Sequence, residues 1–225
     1  MSVFSHLFSG IDLFEDARVE QGPVQMATDE VLLGSIERPL LRHFRWQGSW
    51  VSFGYSQKWN DIEQAFPRRQ LVRRWSGGGA VDHSEDWTFS LLVPLTHPFR
   101  RLSAAASYYE IHLCLKAALS QLFEGIQQVA KGEERLGPQC FLSPRCNDLW
   151  RNGVKVVGGA QKRTQTGLLH QGSIQNLILP SSFISVFGSH LAARTNFFVP
   201  SESIGKESVK LSEKRYGTQE WLKKT

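Results

Sequence analysis

Several features that mark particular protein classes are missing from the 225-residue sequence. The three cysteines, Cys114, Cys140 and Cys146, form no CxxC pair, so they predict neither a disulfide framework nor a zinc site and favour a reducing compartment. No apolar run approaches the roughly 20 residues that span a bilayer, and the N-terminus lacks the basic stretch of a signal peptide. These absences predict a soluble, cytoplasmic protein with no membrane partner and no metal held by protein side chains.

A concentrated basic segment is also lacking. The formal net charge is +5 and the pI is near 9.2, but the lysines and arginines are spread along the chain. No nucleic-acid-binding signature accompanies them, so we expect a solvated basic surface and no nucleic-acid partner. A basic nucleic-acid binder is the least favoured alternative.

The chain contains enough apolar residues to bury a core, at 41% hydrophobic content, and it shows no repeat, linker or change of composition. Residues 1–225 are therefore predicted to form one domain, with a short polar tail from about residue 201 that forms one amphipathic helix. Helical periodicity is found over 21–36 and over 103–126, ending at Gly125. Strands are predicted over 40–46 and 49–55, joined through Gly48, and over 87–93 and 168–179. In 87–93, alternate residues from Trp87 to Val93 face one way, and Thr88 and Ser90 face the other.

A tight hairpin is predicted where Asn152 and Gly153 separate two short apolar runs, because a type I′ turn needs positive φ at both central residues. A two-residue loop pairs Trp150 with Lys155. Four side chains are then predicted to share one face: Asp148, Trp150, Lys155 and Val157. A lysine between valines in mid-strand is unusual unless its ammonium group has a chemical role or guards a sheet edge.

A glycine-rich stretch, RRWSGGGAVDH, runs from Arg73 to His83. Successive glycines let the backbone approach a ligand and turn N–H groups toward phosphate oxygens, and Arg74 would add charge. No Lys-Ser/Thr follows the glycines and the spacing is not GxGxxG, so neither common nucleotide motif is present. Taken alone, the stretch fits an ordinary turn equally well, and His83 alone favours a structural role.

These motifs occur in a recognisable order: ATDEVLL, VSFGYSQ, RRWSGGGAVDH, CFLSP, NDLWRNGVKVVGGAQKR and LLHQGSI. Over roughly residues 26–179 the chain resembles the catalytic domain of the lipoate–protein ligase and octanoyltransferase superfamily, which is related to biotin–protein ligases. The resemblance implies an α/β (α+β) fold with a mixed, largely antiparallel sheet and helices packed outside. It also implies attachment of lipoate or octanoate to a lysine of a lipoyl domain on 2-oxoacid dehydrogenase or glycine-cleavage proteins.

Carried over residue by residue, the resemblance implies that Lys155 is catalytic, with its ammonium group stabilising negative charge during acyl transfer. Asp148 matches the family's acidic position, and its alternative role is that of a surface partner for Lys155 or Arg151. The implied substrate- and nucleotide-binding residues are Arg74, Ser76, Gly77, Gly78, Gly79, Ala80, Val81, Asp82, His83, Asp148, Lys155, Gly158, His170 and Gly172. Within this set, residues 79–82 would wrap the nucleotide, and His170 and Gly172 would border the acyl tunnel.

Two mechanisms remain open. In the ligase mechanism, which three unbroken glycines favour, ATP with Mg²⁺ activates lipoate as lipoyl-AMP. In the transferase mechanism no ATP is needed, and a Cys140 thiolate, with its pKa lowered by Lys155, takes octanoate from acyl carrier protein as a thioester. Cys140 itself and the 87–93 strand favour the transferase, whereas cysteine-dependent relatives usually carry arginine in place of the third glycine. We favour the ligase at this point.

The chain departs from the family pattern in two ways. Most relatives have His-Asp at the end of the glycine motif, whereas His83 is followed by Ser84 and preceded by Asp82, so the family's acid is missing or displaced. The chain is also too short for the separate C-terminal accessory domain of bacterial ligases, which favours an accessory subunit or a different chemistry. A non-catalytic module that binds lipoate or a nucleotide is a further alternative, and the intact Lys155 counts against it.

Overall fold

The computed structural model describes residues 6–133, 141–142 and 145–224. Its strands are β1 (Ile11–Glu20), β2 (Leu40–Trp46), β3 (Trp50–Phe53), β4 (Gln70–Arg73), β5 (Val81–Asp82), β6 (Asp86–Pro94), β7 (Ile126–Gln128), β8 (Leu149–Arg151), β9 (Val154–Arg163), β10 (Gly167–Gln175) and β11 (Thr195–Phe197). Its α-helices are α1 (Gly22–Ser35), α2 (Trp59–Ala65), α3 (Ala104–Ser120), α4 (Phe183–Leu191), α5 (Glu202–Leu211) and α6 (Gln219–Leu222). A 3₁₀ turn covers Pro98–Arg101 and a π turn covers Ser212–Tyr216.

The strands form two sheets. The larger sheet has the order β11-β1-β2-β6-β10-β9-β8-β7, and the smaller has the order β4-β3-β5. In the larger sheet β1 runs parallel to β11 and β2, and the remaining neighbours are antiparallel. The predicted mixed, largely antiparallel sheet is therefore confirmed.

Strand β6 separates the two helical layers. Phe89, Leu91 and Val93 pack in the largest core cluster with residues of α3 and α4. On the opposite face, Leu92 packs with Leu32 and Leu33 of α1, and Ser90 donates a hydrogen bond to Asp29 of the same helix. The alternation predicted for this strand is confirmed, because successive side chains of a strand point to opposite faces. Helices consequently cover both sides of the large sheet.

The predicted end of the long helix is wrong. Helix α3 ends at Ser120 rather than at Gly125, and Leu122, which lies within the predicted helix but beyond its observed end, is 42% exposed. Gly125 has a φ of 77° and marks a later turn into β7. The strands flanking Gly48 do form, but β2 and β3 lie in different sheets, because the positive φ at Gly48 (92°) redirects the chain.

The hairpin forms as predicted, with φ values of 52° at Asn152 and 78° at Gly153, and with Trp150 opposite Lys155. A β-bulge then shifts the register, so that Val157 pairs with Leu149 rather than with Asp148. The prediction that all four side chains share one face was wrong for Val157. That residue lies in the core because a bulge places two residues of one strand opposite one of the other.

The C-terminal segment is not a single polar helix. Two short α-helices and the π turn replace it, and they pack against α1 and β4. Glu30 of α1 accepts hydrogen bonds from Arg215 (2.6 Å) and Tyr216 (2.6 Å). The polar composition of the C-terminal segment did not predict this packing, because arginine and aromatic side chains bury their apolar parts while they donate hydrogen bonds.

Candidate functional site

The glycine loop, residues 76–79, is folded around one buried arginine. The guanidinium group of Arg74 donates hydrogen bonds to the carbonyl oxygens of Gly77 (2.8 Å) and Gly79 (2.9 Å) and to Oγ of Ser52 (2.8 Å). Gly78 has a φ of 85°, and a Cβ there would lie 3.3 Å from Cβ of Ala160. The loop thus needs glycine for its conformation and for its close approach to β9.

Lys155 and Asp148 form a buried ion pair. Nζ of Lys155 lies 2.6 Å from Oδ2 of Asp148, and each side chain is 2% exposed. Asp148 also accepts hydrogen bonds from Tyr108 Oη and from the backbone N–H of Arg145. The surface role considered for Asp148 was therefore wrong, although the contact with Lys155 forms. Arg151 donates instead to the carbonyl of Glu124.

The ion pair opens onto a cleft of about 510 Å³ that joins the glycine loop, α3 and β9. The cleft is lined by Gly77, Gly78, Gly79, Ala104, Ala105, Tyr108, Arg145, Cys146, Asn147, Asp148, Lys155, Gly159, Ala160 and Gln161. A charged lysine held beside a cavity is suited to stabilise an oxyanion that forms there. Five of the site residues predicted from the sequence meet in this cleft.

A smaller, mostly apolar pocket lies behind the glycine loop. It is lined by Met26, Phe44, Trp46, Ser52, Arg74, Gly78, Gly79, Val81, His83, Thr88, Gly158, Gly159, Ala160, Gln171, Gly172 and Ser173. Gly78, Gly79, Gly159 and Ala160 border both cavities. The pocket has a volume of about 30 Å³, which is room for a water molecule and not for an alkyl chain, so the larger cleft beside Lys155 is the cavity of ligand size.

The acid missing after His83 is supplied from three residues further along the chain. Nδ1 of His83 lies 2.7 Å from Oδ2 of Asp86, and Nε2 lies 2.6 Å from Oγ of Ser52. The imidazole also stacks on the indole of Trp46, with ring centroids 4.0 Å apart. The carboxylate of Asp86 thus contacts His83, although the residue directly after the histidine is Ser84.

Four predicted binding residues lie outside both cavities. Ser76 is fully buried and donates to Gln171 Oε1. Ala80 packs in a small core cluster, and Asp82 pairs with Arg69 (2.8 Å) near the surface. His170 is buried behind Gly159. Ligand contacts by these four residues stay predictions.

Sequence reasoning missed the aromatic group behind the ion pair. Tyr108 stacks on His112 with ring centroids 4.0 Å apart, and His112 lies 5.3 Å from the ring of His170. Burial lowers the pKa of His112 to about 3, assisted by the charge of Lys155, and burial also lowers the pKa of His170 well below its usual value. A Cβ on Gly159 would lie 2.7 Å from Nε2 of His170. The available signal was the spacing of Tyr108 and His112, which places them on one helical face.

The cysteines fall in different surroundings. Cys146 lines the cleft, whereas Cys114 is partly buried in α3, where burial raises its pKa to about 12. Cys140, the candidate nucleophile, lies outside the described residues. Within the described ranges, no helix is long and apolar enough to cross a membrane. The same ranges contain no group of three or more His, Cys, Asp or Glu side chains suited to a metal ion.

Known proteins resemble this chain in sequence and in fold. The family model of the lipoyl protein ligase A/B catalytic domain matches residues 21–187. The octanoyltransferase LipM of Staphylococcus epidermidis is 31% identical over 165 residues, covering 66% of this chain and 60% of the relative. LipM of Oceanobacillus iheyensis is 32% identical over 168 residues, covering 69% and 60%. The chain therefore spans less than two thirds of the length of these relatives.

Solved structures show the same fold at low sequence identity. A putative lipoate protein ligase from T. acidophilum with bound lipoic acid has a TM-score of 0.75 at 17% identity, covering 95% of this chain and 99% of that chain. A lipoate-protein ligase A bound with ATP has a TM-score of 0.70 at 17% identity, covering 94% and 97%. A structure from an archaeal bipartite ligase and its E2 lipoyl domain, from Thermoplasma acidophilum, has a TM-score of 0.69 at 18% identity, covering 96% of each chain.

Proposed function

Because the chain belongs to the lipoyl protein ligase A/B catalytic-domain family, we propose that it is an octanoyltransferase that works without ATP. It takes an octanoyl group from acyl carrier protein onto Cys140 and passes it to the lysine of a lipoyl domain. The observation that supports this proposal most directly is the sequence identity of about 30% between the chain and relatives named octanoyltransferase. This reverses the preference for the ligase that the three glycines gave.

The donors and acceptors around the glycine loop do not fit the ATP–Mg²⁺ site that the resemblance implied. Arg74, assigned to a phosphate, directs its guanidinium at its own loop and at Ser52. The carboxylate of Asp148 is engaged by Lys155, Tyr108 and the Arg145 N–H. We therefore derive no step through a nucleotide.

In the first half-reaction, the Cys140 thiolate attacks the donor thioester carbonyl. The new carbon–sulfur bond forms as the bond to the carrier's sulfur breaks, and the carrier leaves as a thiol after taking up a proton. The ammonium group of Lys155, held by Asp148 at the cleft, stabilises the oxyanion of the tetrahedral intermediate.

In the second half-reaction, the neutral amine of the acceptor lysine attacks the acyl-cysteine. A carbon–nitrogen bond forms, the carbon–sulfur bond breaks, and Cys140 regains its thiolate as the amine loses a proton. Lys155 stabilises the second oxyanion in the same way, so one fixed charge serves both steps. Cys140 precedes Arg145, which lines the cleft, by five residues in the sequence.

The test uses octanoyl carrier protein without ATP, and mass spectrometry of the intact protein and its peptides. We expect an octanoyl adduct on Cys140 and no turnover by Cys140→Ala. Cys146→Ala is the matched control, because Cys146 lines the same cleft and should be dispensable. An adduct on Cys146, or ATP-dependent lipoate transfer that survives Cys140→Ala, would overturn the proposal in favour of another nucleophile or of the ligase.

A further inference from the structure

A second surface beside the cleft has no part in the chemistry proposed above. This basic-aromatic groove, of about 860 Å³, is lined by Tyr55, Ser56, Gln57, Lys58, Trp59, Asn60, Asp61, Lys223 and Lys224, and Lys162 lies against its Tyr55 ring. Asp61 is the single acidic side chain among these lining residues. The groove thus concentrates positive charge on a protein whose other basic residues are spread out.

The lysines of the groove are held by aromatic rings. Nζ of Lys223 lies 4.3 Å from the ring centroid of Trp59, and Nζ of Lys224 lies 4.9 Å from that of Tyr55. Nζ of Lys162 lies 5.3 Å from the same tyrosine ring. Such contacts keep ammonium groups near a surface at little cost in hydration. The hydrogen bond with Lys224 and the neighbouring positive charges lower the pKa of Tyr55, which indicates a positive potential at this position.

Both walls of the groove are fixed by one buried side chain. Arg73 donates hydrogen bonds to the carbonyl oxygens of Tyr55 (2.6 Å) and Gln57 (2.7 Å) on one wall. On the other wall it donates to those of Leu222 (2.9 Å) and Lys224 (2.8 Å). The groove is therefore a preorganised surface rather than two independent segments, and preorganisation reduces the entropy cost of binding.

The groove adjoins the end of the cleft that is remote from the ion pair. The N–H of Tyr55 donates to the carbonyl of Ser76 in the glycine loop (2.9 Å). Lys162 follows Gln161, which lines the cleft. Lys155 and Lys162 lie seven residues apart on β9, which corresponds to roughly 23 Å along a strand. A partner bound in the groove would need a long extension to reach Lys155.

From this arrangement we propose that the basic-aromatic groove docks the acyl donor, an acidic carrier protein that bears its acyl thioester on a long flexible arm. The inference rests on the proposed function and adds where the donor binds. The arm enters at Gln161 and runs along β9 until the thioester reaches Lys155. A lysine side chain of an acceptor domain spans only a fraction of that distance, so the acceptor must dock over the ion pair itself. Charge complementarity accounts for the choice of an acidic partner.

The experiment compares two double variants with the same change of charge. Lys58→Glu with Lys223→Glu reverses the groove, and Lys206→Glu with Lys210→Glu reverses exposed lysines on α5. Each is assayed at low ionic strength with octanoyl carrier protein and with octanoyl-N-acetylcysteamine, a small neutral thioester. The dissociation constant of the carrier protein is measured in parallel by fluorescence anisotropy.

We expect the groove variant to raise both KM and the dissociation constant for the carrier protein about tenfold, with kcat nearly unchanged. Turnover of the small thioester should not change, and the defect should diminish with added salt because salt screens exposed charges. The α5 variant should behave as wild type. An equal loss with both donors, a higher KM for the lipoyl domain alone, or an equal loss in the α5 variant would overturn the docking surface.

Failure of the proposed function has a different signature. The wild-type protein would then transfer octanoate from neither donor, and the anisotropy measurement alone would decide whether the groove binds the carrier. Unchanged carrier binding in the groove variant would overturn the inference whether or not the protein is an octanoyltransferase.

Discussion

The large sheet carries two buried charged clusters, and one of them opens onto a cavity. On the α1 face, the fully buried Arg42 donates to Asp16 (2.8 Å) and Asp29 (2.7 Å). The second, here called the α3-face cluster because Asp148 contacts Tyr108 of α3, joins Lys155 and Asp148 at the wall of the cleft. Arginine suits the first position because its planar fork serves several acceptors at once, and lysine suits the second because its compact charge can face a reacting group.

Each cluster extends through further hydrogen bonds, and these extensions differ. Asp29 accepts from Gln171, which in turn accepts from Ser76 in the glycine loop, so the α1-face cluster supports the loop from behind. Burial alone would raise the pKa of Asp16, but hydrogen bonds from Arg18 and Arg42 lower it overall. The α3-face cluster continues into the neutral His112 and His170. The comparison separates a cluster that holds the fold from one that is positioned for chemistry.

Replacing Arg42 should produce the largest effect, and the effect should be on stability. Arg42→Met leaves the carboxylates of Asp16 and Asp29 without their buried cation, so the free energy of unfolding should fall by about 3–5 kcal/mol. Urea denaturation measures this loss, and activity per folded molecule should be kept. Arg18→Met is the control, because Arg18 pairs with the same Asp16 but is one third exposed, and it should cost less than about 1 kcal/mol. A loss of activity without a loss of stability would assign the α1-face cluster to the chemistry.

Replacing Lys155 should add a loss of activity to a loss of stability, because Lys155→Ala also leaves a buried carboxylate, that of Asp148, without its cation. Lys155→Ala removes the charge that faces the oxyanion, so kcat/KM should fall about 10²- to 10³-fold, or about 2.7–4 kcal/mol. Asp148 keeps its hydrogen bonds from Tyr108 and Arg145, so the circular dichroism spectrum should not change. Lys155→Arg should not restore activity, because a planar fork does not reproduce a compact charge. More than about a tenth of normal activity in Lys155→Ala would exclude the catalytic role.

The smallest effect is a pH dependence of stability that originates on the α3 face. The pKa of His112 is lowered to about 3 by burial, so the folded protein keeps this imidazole neutral where the unfolded chain takes up a proton. Stability should therefore fall as the pH drops below about 6.5, by up to about 1.4 kcal/mol per pH unit for this histidine. Unfolding free energies at pH 7 and pH 5 should show a shallower slope in His112→Phe. Replacement of the exposed His6 by Phe is the control. An unchanged slope in His112→Phe would contradict the assignment.

Turn chemistry and strand periodicity were predictable from the sequence. Asn152-Gly153 fixed the turn through local φ requirements, and the alternation in β6 placed Phe89 and Ser90 on opposite faces before any partner was known. These features depend on neighbours in the chain, so the sequence contains their whole cause. The resemblance added Lys155 and the glycine loop, and the structure brings both to one cleft.

Features that depend on distant contacts were not predictable. The bulge that moves Val157 away from Asp148 depends on how β8, β9 and β10 pair. Arg73 was recognised as one of two arginines, but its acceptors at Trp221 and Leu222 lie 148 and 149 residues away. The contact between His83 and Asp86 was not predicted, because a turn of the chain brings the two side chains together. No local pattern specifies such pairings, since they are decided by packing of the whole fold.

The bonds of Arg73 have a consequence for how this surface tolerates sequence change. Every hydrogen-bond acceptor given above for its guanidinium is a main-chain carbonyl, and every residue type carries such a carbonyl. The bonds of Arg73 therefore set no requirement on the side chains at 55, 57, 222 and 224 for the two walls to stay joined. At 55, 57 and 224 the main-chain carbonyls bind Arg73, whereas the side chains face the groove. A change of side chain there therefore alters the preference for a partner while the bonds of Arg73 are kept.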